Sequence, residues 1–554
     1  MRIKRSLVGL VGIGSVLAVA CAVDTAEPGG PGTQTIDSGD MVKPEEGKAD
    51  ASHIAVFLEF EFDGEVLVSS AWNTKRAIED QMLYTIGLLN GEKSVARLDK
   101  LELSNIQTAA AEGGKTRVTY HAKLPVAWGK KDAVPTTFTL RMPKDGTYQG
   151  YEAFTAKYSH DCVDFGAHDV DAGSMWYYYR PKTSRCTLAA EDVVDLTAEV
   201  RASGTQTTGK YPEYDKVWED DALEVVAIYG KYEDGATTSS DAGISAYNEF
   251  VNAMKSRLSS QGLTTTPESF PSSPGVGIPD ITFNGVLTDG KKIRVTALLV
   301  DNVRTAGPTF DQRYASLTPS ADFIVYNGHA GLGANVRALA QKGKWKAGQY
   351  AVVFMNGCDT YAYVDSALWD AHAAVNADDP TGTKYVDVIN NAMPSYFSNM
   401  PESTLAIFDA LANHAEPATY EGIFKKISSS QVILVSGEED NVFVPGGGGG
   451  QPEEWAGMNE ANTVAKNAET RFETPTLAAG RYVFEMTGTA DADLYVRVGS
   501  APTKSLYDCR PYKAGSKESC SVEITTPAPS MRAVSPISRH HCWTCSWAAT
   551  HSGE

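Results

Sequence analysis

Two short apolar runs end in residues suited to acyl-transfer chemistry. Asp322-Phe-Ile-Val-Tyr326 leads into Asn-Gly-His-Ala-Gly at 327–331, and Ala351-Val-Val-Phe-Met355 leads into Asn-Gly-Cys-Asp-Thr at 356–360. A thiol becomes an effective nucleophile when a neighbouring base takes its proton. In open parallel sheets, ligands and reacting groups gather beyond the carboxyl ends of the strands. His329 and Cys358 therefore read as base and nucleophile on one rim of one sheet. The glycines beside them permit tight turns and close approach of a substrate. Singly, neither residue is distinctive. A cysteine closing an apolar run is most often a small buried hydrophobe, and a histidine among glycines is often a turn residue. Together they gain weight, because one crossover helix fits between the two strands. Rival patterns are absent from the sequence. There is no H-E-x-x-H and no G-x-S-x-G, and Gly328, Gly331 and Gly333 lack the dinucleotide-binding spacing.

The elements that must position this pair alternate between strand and helix. Leu223-Glu-Val-Val-Ala-Ile-Tyr229 is a continuous apolar run, as in a strand buried on both faces. Ile244, Tyr247, Val251, Met254 and Leu258 recur at helical spacing between Asp241 and Gly262. A strand follows at Lys292–Val300, then a short helix near Val336–Lys342, helical patterns over 361–376 and 384–428, and a last strand at Gln431–Ser436. This order implies an α/β domain with a mostly parallel sheet, bounded at 218–445.

Upstream, residues 52–200 read as a β-rich domain. His53–Phe62 and Thr116–Leu124 alternate in polarity, and Trp176-Tyr-Tyr-Tyr179 is a further expected strand. Asp164, His168, Asp169 and Asp171 could supply carboxylates to a structural calcium ion. They lack EF-hand spacing, so a solvated acidic loop is preferred and no metal site is assigned. Downstream, Pro445 and the glycines at 446–450 mark a linker over 446–454.

Length and charge bound the rest. The 554 residues require several domains, and the net charge of −20 without a basic stripe argues against a nucleic-acid partner. Arg2, Lys4 and Arg5 precede an uncharged apolar stretch from Leu7 to Ala20, which reads as a signal peptide over 1–20. Cys21 follows directly. Two outcomes are open: lipidation of Cys21, giving a bacterial envelope lipoprotein tethered through 21–51, or ordinary cleavage and secretion. Membrane contact is then expected only through that lipid. Export suits the eight cysteines. Cys162 with Cys186 and Cys509 with Cys520 read as local disulfides, which leaves Cys358 alone in mid-chain.

Apolar strand, His-containing turn, apolar strand, Cys resembles the caspase-like fold of cysteine peptidases, the group of caspases, legumains, clostripain and gingipains. The resemblance covers roughly 220–440. It implies an α/β/α sandwich, Cys358 as nucleophile, His329 as base and acid, and an oxyanion hole from the backbone N–H groups of Ala330 and Cys358. That family usually has glycine where Ala330 stands, and no third catalytic residue can be assigned. Asp359, Asp365, Glu438 and Glu439 lie near strand ends and would suit a basic substrate residue, although exposed carboxylates explain them more simply.

Asp491-Ala-Asp-Leu-Tyr-Val-Arg497 with Tyr507-Asp-Cys-Arg-Pro-Tyr512 resembles the bacterial pre-peptidase C-terminal domain, a small β-sandwich, over about 455–527. In such domains Asp491 and Asp493 could help hold calcium, and a turn role is the simpler reading. The last strands of that domain are not expected here. Residues 528–554, with His540, His541, Cys542 and Cys545, read as an atypical tail. The expected function is an exported cysteine endopeptidase acting on protein or peptide through a thioester, with no cofactor. The alternative is a non-catalytic envelope protein whose β domains bind protein or glycan.

Overall fold

The computed structural model describes residues 33–34, 50–167, 170–437, 441, 443–445, 458–465, 468–474, 480–498, 502–504, 507–524, 531–535 and 542–552. The expected signal peptide, Cys21, His168, Asp169, Glu438, Glu439, the expected linker at 446–454, His540 and His541 lie outside them. The chain divides into two compact units. One comprises Met1–Ile36 and Leu58–Arg201, the other Asp37–Phe57 and Ala202–Glu554.

The first unit contains a six-stranded sheet, built on the long strands Val56–Val68 and Thr116–Trp128. Along Thr116–Trp128 the alternation buries Val118, Tyr120, Ala122, Leu124 and Val126 on one face. The unit also carries helices, including Thr74–Met82, Tyr84–Asn90 and Tyr148–Tyr158. One expectation is corrected here. Met175–Tyr178 is a helical turn, not a strand. The Asp171 carboxylate accepts the N–H groups of Gly173 and Ser174, which starts a turn. Gly87 then lets the backbone of 176–179 approach closely, because a Cβ there would lie 2.5 Å from the Trp176 carbonyl oxygen. Cys162 and Cys186 form the expected disulfide.

The second unit contains a nine-stranded mixed sheet. Its elements in chain order are β1 (Ala51–Ser52), β2 (Ala222–Gly230), α1 (Ala242–Arg257), β3 (Thr264–Thr266), β4 (Asp280–Val286), β5 (Lys292–Val300), α2 (Pro308–Leu317), β6 (Phe323–Asn327), α3 (Ala334–Lys342), β7 (Ala351–Asn356), α4 (Thr360–Tyr363), α5 (Ala367–Ala373), β8 (Val386–Asn391), α6 (Met400–Ala412), α7 (Tyr420–Phe424) and β9 (Ile433–Ser436). The strand order is β3-β4-β5-β2-β6-β7-β8-β9-β1. The five strands from β5 to β8 are parallel, and the flanking pairs are antiparallel. The central strands are apolar on both faces because helices cover both. Val225, Phe323, Val325 and Phe354 face α1, α6 and α7, whereas Val226, Ile324, Val353 and Met355 face α2, α3 and α5. Each such side chain contributes roughly 1.5–3 kcal/mol by leaving water.

Val386–Asn391 is also a correction, since it falls inside the stretch expected to be helical. Val386, Val388 and Ile389 are fully buried between the two helical layers. β-Branched residues fit such a site better than a helix interior.

C-terminal to these elements, Met458–Val464, Cys542–Ser552, Gly480–Gly488 and Glu518–Ile524 form one sheet, and Thr470–Glu473, Met531–Ser535 and Tyr495–Val498 form another. Tyr482, Phe484, Met486, Leu494, Val496 and Val522 form a common core, and Cys509 is bonded to Cys520. The tail is the third correction. Cys542–Ser552 pairs with both Met458–Val464 and Gly480–Gly488, so it completes the sheet.

Candidate functional site

Parallel pairing of β6 with β7 sets Asn327 opposite Asn356. His329 and Cys358 each lie two residues beyond that pair, on the same rim of adjacent strands. The connections around them leave on opposite faces. β2 leads to α1 and β8 to α6 on one face, while β5, β6 and β7 lead to α2, α3 and α5 on the other. Crevices form where neighbouring connections diverge in this way. Here they fall between β5 and β2, between β2 and β6, and between β7 and β8.

A buried polar ladder fixes the strand ends. Asn356 donates to Asn327 Oδ1 at 2.8 Å and accepts from Asn391 Nδ2 at 3.0 Å and Ser395 Oγ at 2.9 Å. Thr404 donates to Asn327 Oδ1, and Gln431 donates to Ser395 Oγ. These asparagines are fully buried, so their mutual bonds offset the loss of water. Gly357 lets the loops that carry His329 and Cys358 touch. A Cβ there would lie 2.8 Å from the Gly328 carbonyl oxygen and 3.2 Å from the Ala330 nitrogen. The Ala330 amide thus sits against the loop that carries Cys358.

His329 is exposed at the rim and clasped by aromatic rings. Tyr232 lies 5.3 Å away and Phe397 5.2 Å away, centroid to centroid. The His329 Nε2 lies 3.0 Å from the Tyr232 carbonyl oxygen, which can only accept. Nε2 therefore carries a proton and Nδ1 is the remaining ring nitrogen. The His329 carbonyl is itself held, by Tyr326 Oη at 2.9 Å and Asn335 Nδ2 at 2.7 Å. Cys358 is half-buried, lies outside both disulfides, and directs Sγ to the Ser395 carbonyl at 3.6 Å.

The loop carrying Tyr232 is tied to the cap of α1. Asp241 accepts from the N–H groups of Ile244 at 2.9 Å, Tyr232 at 3.1 Å and Glu233 at 2.9 Å. One carboxylate thus caps the helix and orients the peptide that meets His329. Neither Tyr232 nor Asp241 stood out as a site residue in the sequence.

Other candidates fall away from this rim or into structural roles. Asp359 is fully buried rather than solvated, and Asp365 pairs with Arg337 at 3.3 Å. Asp164 and Asp171 accept backbone N–H groups in turns. Asp491 accepts the Gly515 N–H at 2.8 Å, the turn role. Among the described residues no group of three or more His, Cys, Asp or Glu side chains is placed to hold a metal ion.

Comparison with known proteins bears on the C-terminal segment. Residues 471–529 match the bacterial pre-peptidase C-terminal domain. The chain carries that domain. It is 51% identical over 49 residues to the neutral protease of Vibrio proteolyticus, covering 9% of this chain and 8% of that protein. It is 63% identical over 35 residues to the hemagglutinin/proteinase of Vibrio cholerae, covering 6% of each. It is 61% identical over 36 residues to the extracellular protease of Xanthomonas campestris, again 6% of each. The chain thus spans under a tenth of these relatives, and the likeness is confined to the C-terminal domain. The solution structure of vEP C-ter 100 is 32% identical, covers 15% of this chain and 82% of that one, and superposes with a TM-score of 0.14.

Proposed function

We propose that the chain is an exported cysteine endopeptidase with a caspase-like catalytic domain. The observation that carries this reading is the equivalent placement of His329 and Cys358 beyond the paired Asn327 and Asn356. The Tyr232 carbonyl adds to it by fixing the imidazole tautomer.

In the proposed reaction, His329 Nδ1 takes the Cys358 thiol proton and Sγ bonds to the scissile carbonyl carbon. The N–H groups of Ala330 and Cys358 stabilise the oxyanion. The C–N bond breaks as His329 returns the proton to the leaving amine. Water, deprotonated by His329, then attacks the thioester. A carboxylate departs and the thiol is restored. The C-terminal domain supports export, since proteins that share it include one named an extracellular protease. Lipidation of Cys21 is part of the proposal. Fatty-acid labelling lost in Cys21→Ser would support it, and labelling that persists would count against it.

The central test is hydrolysis of a mixed peptide pool. Cys358→Ala and His329→Ala should each lose roughly a thousandfold or more in rate, and the double variant little beyond that. Thermal unfolding of each variant should stay near wild type. Full activity in Cys358→Ala would overturn the mechanism. A wild type that cleaves nothing and ignores thiol-directed electrophiles would favour the non-catalytic binding scaffold.

A further inference from the structure

The crevice walled by the end of β5, the start of β4 and the start of α2 is unassigned. It has a volume of about 500 Å³ and lies beyond the carboxyl end of β5, beside Lys231, the neighbour of Tyr232. Its apolar walls include Val276, Pro279, Leu298 and Phe310. The charges along it are internally matched. Lys231 pairs with Asp301 at 2.6 Å and Arg313 with Asp280 at 2.8 Å. A cleft with neutralised charges and apolar walls suits a large apolar side chain better than an ionic one.

Its position relative to the proposed dyad defines what could reach it. His329 must protonate the departing amine, so the leaving half of the peptide lies on the His329 side of Cys358. In the strand order β5-β2-β6-β7 that direction runs from β7 over β6 toward β2 and β5. Strands are spaced about 4.8 Å apart, so three spacings from β7 to β5 put the crevice roughly 14 Å from Cys358. An extended peptide covers that in about four residues at about 3.4 Å each.

We infer that this crevice is a leaving-side substrate subsite that takes a bulky apolar or aromatic side chain about four residues after the scissile bond. The inference rests on the endopeptidase reading. Peptide substrates extended on the leaving side should bind through it, and short ones should not.

Gly307 offers a clean way to block it. It lines the crevice, its backbone is extended (φ −80°, ψ −176°), and an added Cβ meets nothing within 4 Å. The experiment uses the full chain, Gly307→Trp and, as a second blocking variant, Val276→Trp, which starts from a side chain 37% exposed. Two quenched fluorescent peptide pools are compared. One ends two residues after the scissile bond. The other extends to the fifth, with Phe or Asp fixed at the third and fourth positions. Wild type should prefer Phe over Asp by about tenfold in kcat/KM. Either blocking variant should erase that preference and leave the short pool unchanged. A wild type indifferent to Phe and Asp overturns the inference alone, provided the short pool is cleaved. So does a preference that survives in both blocking variants. Failure to cleave either pool removes the endopeptidase reading and this inference with it.

Discussion

Tyr232 enters the site through its carbonyl, a group every residue possesses, and so no side-chain pattern announced it. What the sequence did show was Asp241 at the start of a periodic helix. The structure gives that cap a second task, since the same carboxylate holds the Tyr232 and Glu233 amides. Asp241→Ala would orphan three N–H groups. The expected cost is about 1–2 kcal/mol of stability. Peptide hydrolysis should fall roughly tenfold as the Tyr232 carbonyl loosens its hold on His329. Asp241→Asn keeps one acceptor oxygen and should lie between. Stopped assays alongside thermal melts separate the two effects. An Ala variant that is less stable yet fully active would mean that the cap does not orient the imidazole. The strand-end placement of His329 and Cys358 was legible because glycine and a polar group interrupted apolar runs at matching points.

At the scale of strands and helices, long apolar runs such as Lys292–Val300 announced themselves. Val386–Asn391 was masked by its polar end, where Asn390 and Asn391 are fully buried. The Asn391 side-chain N–H group is satisfied within the Asn327–Asn356–Asn391 ladder, whose partners come from other strands, whereas both side-chain polar atoms of Asn390 lack a hydrogen-bond partner among the described residues. Asn356→Leu should therefore destabilise the sheet by about 2–4 kcal/mol, because it orphans donors from Asn391 and Ser395 together. Chemical denaturation would measure it, and a neutral result would show that the ladder is dispensable. Helix α5 carries a second buried polar group. His372 stacks near Trp345 at 4.7 Å, and its ring nitrogens have no hydrogen-bond partner among the described residues. Burial, opposed only by the Asp379 charge, pulls His372 down to about 4. The unfolded chain takes up this proton near pH 6.5 and the folded chain only near 4, so stability falls as pH drops through that window. The full span corresponds to about 3 kcal/mol. The stability difference between wild type and His372→Leu should shift by that order from pH 7 to pH 4, against the wild type. A difference that is flat with pH would place the proton elsewhere.

For the whole molecule, alternation and periodicity gave the parallel strands β2, β5, β6 and β7 and helix α1, but not β3, β4, β8 or α2, nor which distant segments pair. β1 is only two residues long and joins the sheet edge from far upstream, and Cys542–Ser552 closes a sheet begun at Met458. Contacts of that kind depend on partners hundreds of residues away, or on tail sequence with no local signature. The cysteines were more readable, because both bridged pairs close short local loops, with sequence separations of 24 and 11. Their placement has a consequence for activity. Neither disulfide lies within the 222–436 segment that carries His329 and Cys358. By the chain-entropy account each stabilises its own region by about 3 kcal/mol. A mild thiol reductant should therefore lower the melting temperatures of the Leu58–Arg201 region and the C-terminal β domain. It should leave peptide hydrolysis intact, or raise it by keeping Cys358 as a thiol, whereas alkylation should abolish it. The paired variants Cys162→Ser with Cys186→Ser, and Cys509→Ser with Cys520→Ser, should reproduce the two melting shifts separately. Calorimetry with and without reductant, read beside the peptide assay, decides the matter. If hydrolysis vanished on reduction while the 222–436 segment stayed folded, hydrolysis would depend on a disulfide-held region and not on the 222–436 segment alone.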